Sequence, residues 1–318
     1  MSKEINNQEL LFLWDATMCN PNGDMGADNA PRFDEVDEKA IVSDVRIKRT
    51  IRDDMQYRKN MAEQIFINNE VILSHDNEET ITAEKMFDIL KEKETDKDKA
   101  EKEIFLNCID NRLFGGVAPK SGLQLTGPVQ FSWTKSLNET ETILKSGTGA
   151  FATKPKDAEA EAKYRKTFRA DNYLPYAVFA MYGSINSSNA KNCRTTEDDI
   201  SQMTNSLWYG TKFLNTRSKM GQKPRLLIHI EYKKESKYFI GLLDELITLN
   251  TSESKMVRSV KKEDAAINFS ALIKKINSAK EFIEKVSIVY DDMMEEYLDE
   301  LKEIENVKLI DDVTFARV

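Results

Sequence analysis

Cysteine and histidine are scarce. Cys19, Cys108 and Cys193 are the only cysteines in 318 residues, and His75 and His229 the only histidines. The cysteines are odd in number and widely spaced, so neither a disulfide framework nor a paired metal-ligand spacing is implied. That usage fits a reducing cytoplasm, the expected localisation. His229 lies inside the apolar run Leu227-Ile228-His229-Ile230 and reads as a packed strand histidine, whereas His75 lies in a polar turn. No nucleophile elbow and no phosphate-binding P-loop occurs. Acid–base and nucleophilic catalysis therefore have few candidates, and no cofactor is expected. No apolar run reaches membrane-spanning length. The polar residues 1–9 do not read as a signal peptide, and no repeat of solenoid length is present.

Net positive charge is also missing: 46 basic residues face 54 acidic ones, a formal charge of −8. Distribution matters more than the total. Residues 291–312 hold ten acids and two bases, which accounts for the whole deficit. Residues 205–234 hold seven bases against Glu231, and residues 154–169 hold six bases against three acids. A phosphate chain senses local charge, because the Debye length is only about 8 Å at physiological salt. The acidic tail, unsuited to any polyanion, is expected to face solvent or a basic patch on a neighbour.

What is present centres on residues 10–52. Leu10 to Trp14 is a continuous apolar run, as expected of a strand covered on both faces. Asn20-Pro21-Asn22-Gly23-Asp24 stops it. Pro21 cannot donate to a sheet ladder, and Asn22-Gly23 suits a turn with positive φ. After a long loop, Ser43 or Asp44 can cap a helix. In that helix Ile47, Ile51 and Met55 recur at core spacing. Lys48, Arg49 and Arg52 lie on another arc, free either to meet phosphates or simply to be solvated.

Farther on, Ala83–Lys91 and Lys97–Leu113 read as helices, the second ended by Gly115-Gly116. Leu123–Trp133 reads as a strand with Val129, Phe131 and Trp133 on one face. Residues 154–169 suggest a protruding arm, partly helical, followed by a strand over Leu174–Ile185. Thr196 can cap a helix to about Leu214, with Leu207, Phe213 and Leu214 in the core and Trp208 or Tyr209 at its rim. A basic loop, the strand Arg225–Tyr232, a helix, another strand and the acidic tail complete the chain. The pattern is consistent with an α+β, ferredoxin-like β-α-β-β-α-β core enlarged by insertions.

These motifs also carry a resemblance. The strand, Asn20-Pro21-Asn22-Gly23-Asp24, the long loop and the helix opening Ser43-Asp44-Val45-Arg46-Ile47-Lys48-Arg49 resemble the start of the backbone subunit of type I CRISPR effector complexes, the type I-B branch of Cascade in particular. Arg112-Leu113-Phe114-Gly115-Gly116, then Leu125-Thr126-Gly127-Pro128-Val129-Gln130-Phe131-Ser132-Trp133, then Arg217-Ser218-Lys219-Met220-Gly221 follow in the order that family shows. The resemblance spans roughly residues 8 to 250.

It implies one hand-shaped domain over 1–318. The palm would be a modified RNA-recognition-like (RRM-like) fold, with insertions at about 60–110 and 138–195 forming fingers and thumb, and an acidic segment at 291–318. It implies a non-catalytic subunit that polymerises along crRNA in a helical filament. Its other partners would be further Cascade subunits and, through guide pairing, target DNA, with no membrane. Lys48, Arg49 and Arg52 match the guide-tracking helix, and Arg217, Ser218 and Lys219 a palm-edge loop. The thumb would lie between Lys154 and Arg169 or after Ile185. The full RNA-binding set is Asn20, Asn22, Gly23, Arg46, Lys48, Arg49, Arg52, Lys163, Arg165, Lys166, Arg169, Arg217, Ser218, Lys219 and Arg225, with no catalytic and no metal-binding residue. Asn20, Asn22 and Gly23 would offer side-chain amides and close backbone approach.

Two other classes stay open. Asp15, Asp24, Asp28 and Asp34 surround one loop, and two or three carboxylates can hold Mg²⁺ for a metal-dependent ribonuclease, as in the backbone subunits of type III effectors. Asp28 and Asp34 would then carry the chemistry, although the same aspartates equally read as turn caps. A protein-interaction scaffold without nucleic acid is the third reading.

Overall fold

The computed structural model describes residues 4–68, 82–96, 99–152 and 166–317. The principal helices are α1 (Asp44–Tyr57), α2 (Ala83–Lys93), α3 (Glu101–Phe105), α4 (Ile109–Phe114), α5 (Ser187–Cys193), α6 (Glu197–Lys212), α7 (Ser270–Ser278), α8 (Leu298–Leu301) and α9 (Asp312–Phe315). The strands used below are β1 (Gln8–Cys19), β2 (Gly115–Ala118), β3 (Leu123–Thr126), β4 (Val129–Phe131), β5 (Ile143–Ala152), β6 (Lys166–Ile185), β7 (Gln222–Tyr232), β8 (Ile283–Tyr290) and β9 (Val307–Asp311). The fold is a mixed α+β arrangement. Among the described residues no helix is long and apolar enough to cross a membrane.

The main sheet runs β5-β6-β1-β7-β8-β9, with β4 also paired to β6. β1 is its centre, antiparallel to both β6 and β7, with Phe12 opposite Met181 on one side and Leu227 on the other. The apolar run of β1 is buried on both faces, as its composition predicts. Leu10, Phe12 and Trp14 join a core with Ile47, Ile51 and Met55 of α1 and with Ile200, Met203 and Leu207 of α6. Leu11 and Leu13 join a second core with Ile228 and Ile230 of β7, Leu272 and Ile276 of α7, and Tyr297. Burying each such side chain contributes roughly 1.5–3 kcal/mol, so this strand fixes the register of everything around it. A third, smaller core gathers Phe66, Met86, Phe87, Ile104 and Phe105 beside α2–α4.

β6 is two strands in one. Residues 166–173 pair with β5, and residues 174–185 pair with β1. The first half with β5 is therefore a hairpin arm leaving the sheet. It is extended over 166–169, where the sequence suggested partial helix. The expected helix Lys97–Leu113 is broken into α3 and α4 around Leu106–Cys108. The expected strand Leu123–Trp133 is broken at Gly127-Pro128 into β3 and β4. Past β4 the alternation inverts: Thr134 is buried, its Oγ1 donating to Ala180 O, while Trp133 turns outward.

The acidic tail is not a solvated appendage. Met294, Tyr297, Leu301 and Ile304 are buried in the second core. The chain then adds β9 as a parallel edge strand on β8, Ile288 opposite Leu309. Asp291 pairs with Arg225 at 2.5 Å, and Asp312 accepts from Trp208 Nε1 and pairs with Lys212. Most of the acids between Asp291 and Asp312, such as Asp292, Glu295, Glu296, Asp299, Glu303 and Glu305, lie outward, while apolar residues at helical spacing face in.

α6 starts as its sequence indicates, with a capping box between Thr196 and Asp199. Its other end differs from expectation. Trp208 and Tyr209 are buried, and Phe213, the residue that caps the last turn, is 60% exposed.

Candidate nucleic-acid interface

The turn after β1 is held by its own side chains. Asn22 Oδ1 accepts from both the amide and the hydroxyl of Ser43, each at 2.9 Å. Ser43 is the N-cap residue of α1, but its hydroxyl serves Asn22 rather than the helix. Asn20 Nδ2 donates to Asn29 O at 2.7 Å, and Asn20 N donates to Ser218 O at 2.6 Å. Both asparagines are buried. Their side chains, expected to face RNA, are engaged in building the loop. Gly23 does not adopt positive φ. A Cβ there would fall 2.0 Å from Asn29 Oδ1, so any larger residue would displace the Asn29 side chain.

Two cations converge on this turn. Arg46, in the first turn of α1, donates from Nε to Pro21 O at 3.3 Å. Lys219, in the loop before β7, donates from Nζ to Asn20 O at 3.1 Å. That loop is pinned by Thr17 N donating to Gly221 O at 3.0 Å. Gly221 has φ of +116°, and a Cβ there would lie 2.3 Å from Thr17 O, so only glycine fits.

Neither cation makes an ion pair among the described residues. Burial brings Arg46 down to about 10, with the Asp53 carboxylate opposing that shift and the Arg49 charge adding to it. Burial, with the charge of Arg46, brings Lys219 down to about 8. Arg46 keeps its Nη hydrogens, and Lys219 two of its Nζ hydrogens, without an acceptor among the described residues. Desolvated cations that repel each other and still have free donors are stabilised by an anion; a phosphate supplies both charge and acceptors.

The other basic residues separate into distinct groups. Arg52 is buried, its Nε 2.8 Å from Asp110 Oδ2, and Asp110 also accepts from the amides of Phe66 and Ile67. Arg225 is buried between Asp15 and Asp291 at 2.8 and 2.5 Å. Both guanidiniums, placed in the expected RNA-binding set, tie elements of the fold together. Lys48 is nearly covered, bridging Asp44 and Gln130 at 3.0 Å each. Arg49 and Arg217 are exposed, paired with Asp53 and Asp171. Ser218 is half-buried and contributes its carbonyl to Asn20. Lys166 and Arg169 lie on the arm strand of β6, whereas Lys163 and Arg165 lie outside the described residues.

The aspartates considered for metal chemistry are dispersed. Asp15 is on β1, buried against Arg225 and Tyr176. Asp24 caps a short helical turn and pairs with Arg32, and Asp34 pairs with Lys135. Asp28 is exposed with φ of 50°. Among the described residues no three histidine, cysteine or acidic side chains gather in a metal-holding group. His229 Nε2 lies 2.6 Å from Gln8 Oε1, and burial holds the ring down to about 4. His75 lies outside the described residues. Burial pushes the Cys19 thiol up to about 12.

Sequence reasoning included Arg46 and Lys219 but did not single them out. It missed Trp133, 58% exposed with the Arg32 guanidinium 5.9 Å from its ring centroid, and the outward ring of Phe213. Strand and helix periodicity placed both aromatics inside. The signal against it was positional, since Phe213 follows the last residue of α6 and Trp133 lies just beyond the end of β4.

A model of the family described as CRISPR-associated protein Cas7 matches residues 6–270. A relative from Haloferax volcanii, also described as CRISPR-associated protein Cas7, is 29% identical over 92% of this chain and 88% of its own length. Two solved chains, one from a CRISPR RNA-guided surveillance complex and one from such a complex in a pre-nicking state, each superpose with a TM-score of 0.55 at 12% identity. The superpositions cover 98% of this chain and 97% and 99% of theirs. At that identity the likeness concerns the fold. With most of its length matched by the family model, the chain belongs to the Cas7 family of CRISPR-associated proteins.

Proposed function

We propose that this chain is a non-catalytic, guide-RNA-binding backbone subunit of a type I, Cascade-type surveillance complex, with type I-B its closest branch. Copies of it line crRNA as a helical filament in the cytoplasm, beside other Cascade subunits. Target DNA reaches the complex through guide pairing, so sequence is read by base pairing and not by this protein.

One observation carries the reading: Arg46 and Lys219, two cations with no carboxylate in ion-pair contact among the described residues, held over the Asn20-Pro21 carbonyls. A protein-only scaffold has no use for such a pair, whereas a phosphate backbone neutralises it. The strand order β4-β6-β1-β7, all antiparallel, supports reading the centre as a ferredoxin-like palm with α1 and α6 as its two crossover helices. Both faces of that sheet are covered, so RNA would run along loops and helix ends, not across the strands as in ordinary RNA-recognition motifs. On this reading the α2–α4 region supplies the fingers and the β5–β6 arm the thumb. The dispersed aspartates, most with a cation partner in reach, support a non-catalytic role.

The test is particle mass by light scattering with single-stranded RNAs of increasing length. Mass should rise with RNA length and collapse after ribonuclease treatment. A fixed mass that ignores RNA length contradicts the proposal.

A further inference from the structure

We propose that the groove beyond the C-terminal end of α6 takes one unstacked nucleobase of the bound RNA, seated on the outer face of Phe213. This rests on the RNA-binding reading above and adds to it a base-holding site separate from the phosphate-facing pair.

Three rings pack in series, with Tyr209 touching the other two. Phe315 and Tyr209 are parallel within 17°, Tyr209 and Phe213 within 24°, and each pair has centroids 5.9 Å apart. The inner rings are buried and fixed, because Tyr209 donates from its hydroxyl to Asp312 O at 2.8 Å and has Arg58 5.2 Å from its ring centroid. The outer ring is 60% exposed and opens on a groove of about 730 Å³. A large aromatic exposed at the end of a rigid stack is an unfinished stack, and every nucleobase offers a flat face to continue it.

The rest of the lining fits a nucleotide. Met220, 64% exposed, supplies a polarizable apolar wall. Lys223 supplies a cation with no ion pair among the described residues. Asp291 and Asp312 are already paired to Arg225 and Lys212, which leaves Asp292 as an acceptor for an exocyclic amino group. The groove borders the loop that carries Lys219. Lys219 and Met220 are consecutive, with Cα atoms about 3.8 Å apart. One loop therefore turns its lysine toward Asn20 and its methionine toward the groove.

The experiment compares full-length wild type, Phe213→Ala and Phe213→Trp, binding a single-stranded RNA and an abasic oligonucleotide of the same length and backbone. Phe213→Ala should weaken binding to the base-bearing RNA about fivefold to a hundredfold, the span of base–aromatic stacking. It should leave abasic binding, the salt dependence and the thermal midpoint unchanged, and Phe213→Trp should restore affinity. Equal affinity of wild type and Phe213→Ala for the base-bearing RNA, or equal losses on both ligands, overturns the proposal. So does a loss of self-association without RNA, which would mark the ring as a contact between copies. Failure of the wild type to bind either ligand would instead overturn the RNA-binding reading itself.

Discussion

Arg46 and Lys219 donate to consecutive carbonyls, those of Pro21 and Asn20, although 173 residues separate them in the chain. The turn after β1 is the template: it stops the central strand and presents two oxygens, and one cation from α1 and one from the loop before β7 settle on them. Each cation makes the other harder to keep charged. That is a cost in the free protein and becomes a gain once phosphate arrives.

The pH dependence of RNA binding follows from Lys219. In the free protein it titrates near 8, and a bound phosphate favours its charged form and raises that value. Affinity should therefore be highest below pH 8 and fall as pH rises through 8, with proton uptake on binding near pH 8. Calorimetry in buffers of different ionisation enthalpy measures that uptake, and Lys219→Arg should abolish it. Stability of the RNA-free protein moves the other way. The folded value lies below the unfolded 10.5, so the folding penalty from Lys219 is complete below pH 8 and is relieved between about 8 and 10.5.

Arg225 and Arg52 should behave as structural residues. Each is buried against a buried carboxylate, and breaking such a pair from one side costs about 3–5 kcal/mol. Arg225→Ala and Arg52→Ala should shift urea unfolding by that order, while Arg49→Ala, exposed, should stay within about 0.5 kcal/mol. A natively stable Arg225→Ala variant with weakened RNA binding would reverse this assignment.

How much of this was legible in the sequence depended on the range of the interaction. The middle of β1, α1 and α6 could be read because each carries a long periodic pattern whose burial outweighs local alternatives. Partner choice across the fold could not. Nothing local marks Arg52 as a buried partner of Asp110, 58 positions away, or Arg225 as a partner of Asp15. Helical-arc reasoning gave Lys48, Arg49 and Arg52 one shared fate, but tertiary carboxylates divide them. In the tail the apolar positions Met294, Tyr297, Leu301 and Ile304 were at readable spacing, but the surrounding acids drew attention to charge instead. Gly23 was rightly seen as a glycine position, though for its closeness to Asn29 and not for a left-handed backbone.

Truncation before Asp291 tests the tail. The segment supplies edge strand β9, buried residues of the second core and Asp291, a partner of Arg225. Removal should give a protein that is insoluble or lacks a cooperative thermal transition, in place of one that merely fails to assemble. A soluble truncated chain with an unchanged melting profile would contradict the packing described for this segment.

The measurement that bears most directly on the central claim is the salt dependence of single-stranded RNA affinity, compared between wild type and the Arg46→Gln, Lys219→Gln double variant over about 50–200 mM salt. Two neutralised cations that make no ion-pair contact among the described residues should leave the fold intact and the thermal midpoint nearly unchanged. The slope of log affinity against log salt should become shallower by roughly 0.7 for each lost phosphate contact, with weaker binding at every salt concentration. An unchanged slope and affinity in a folded double variant would show that the pair does not meet the RNA backbone, contradicting the account.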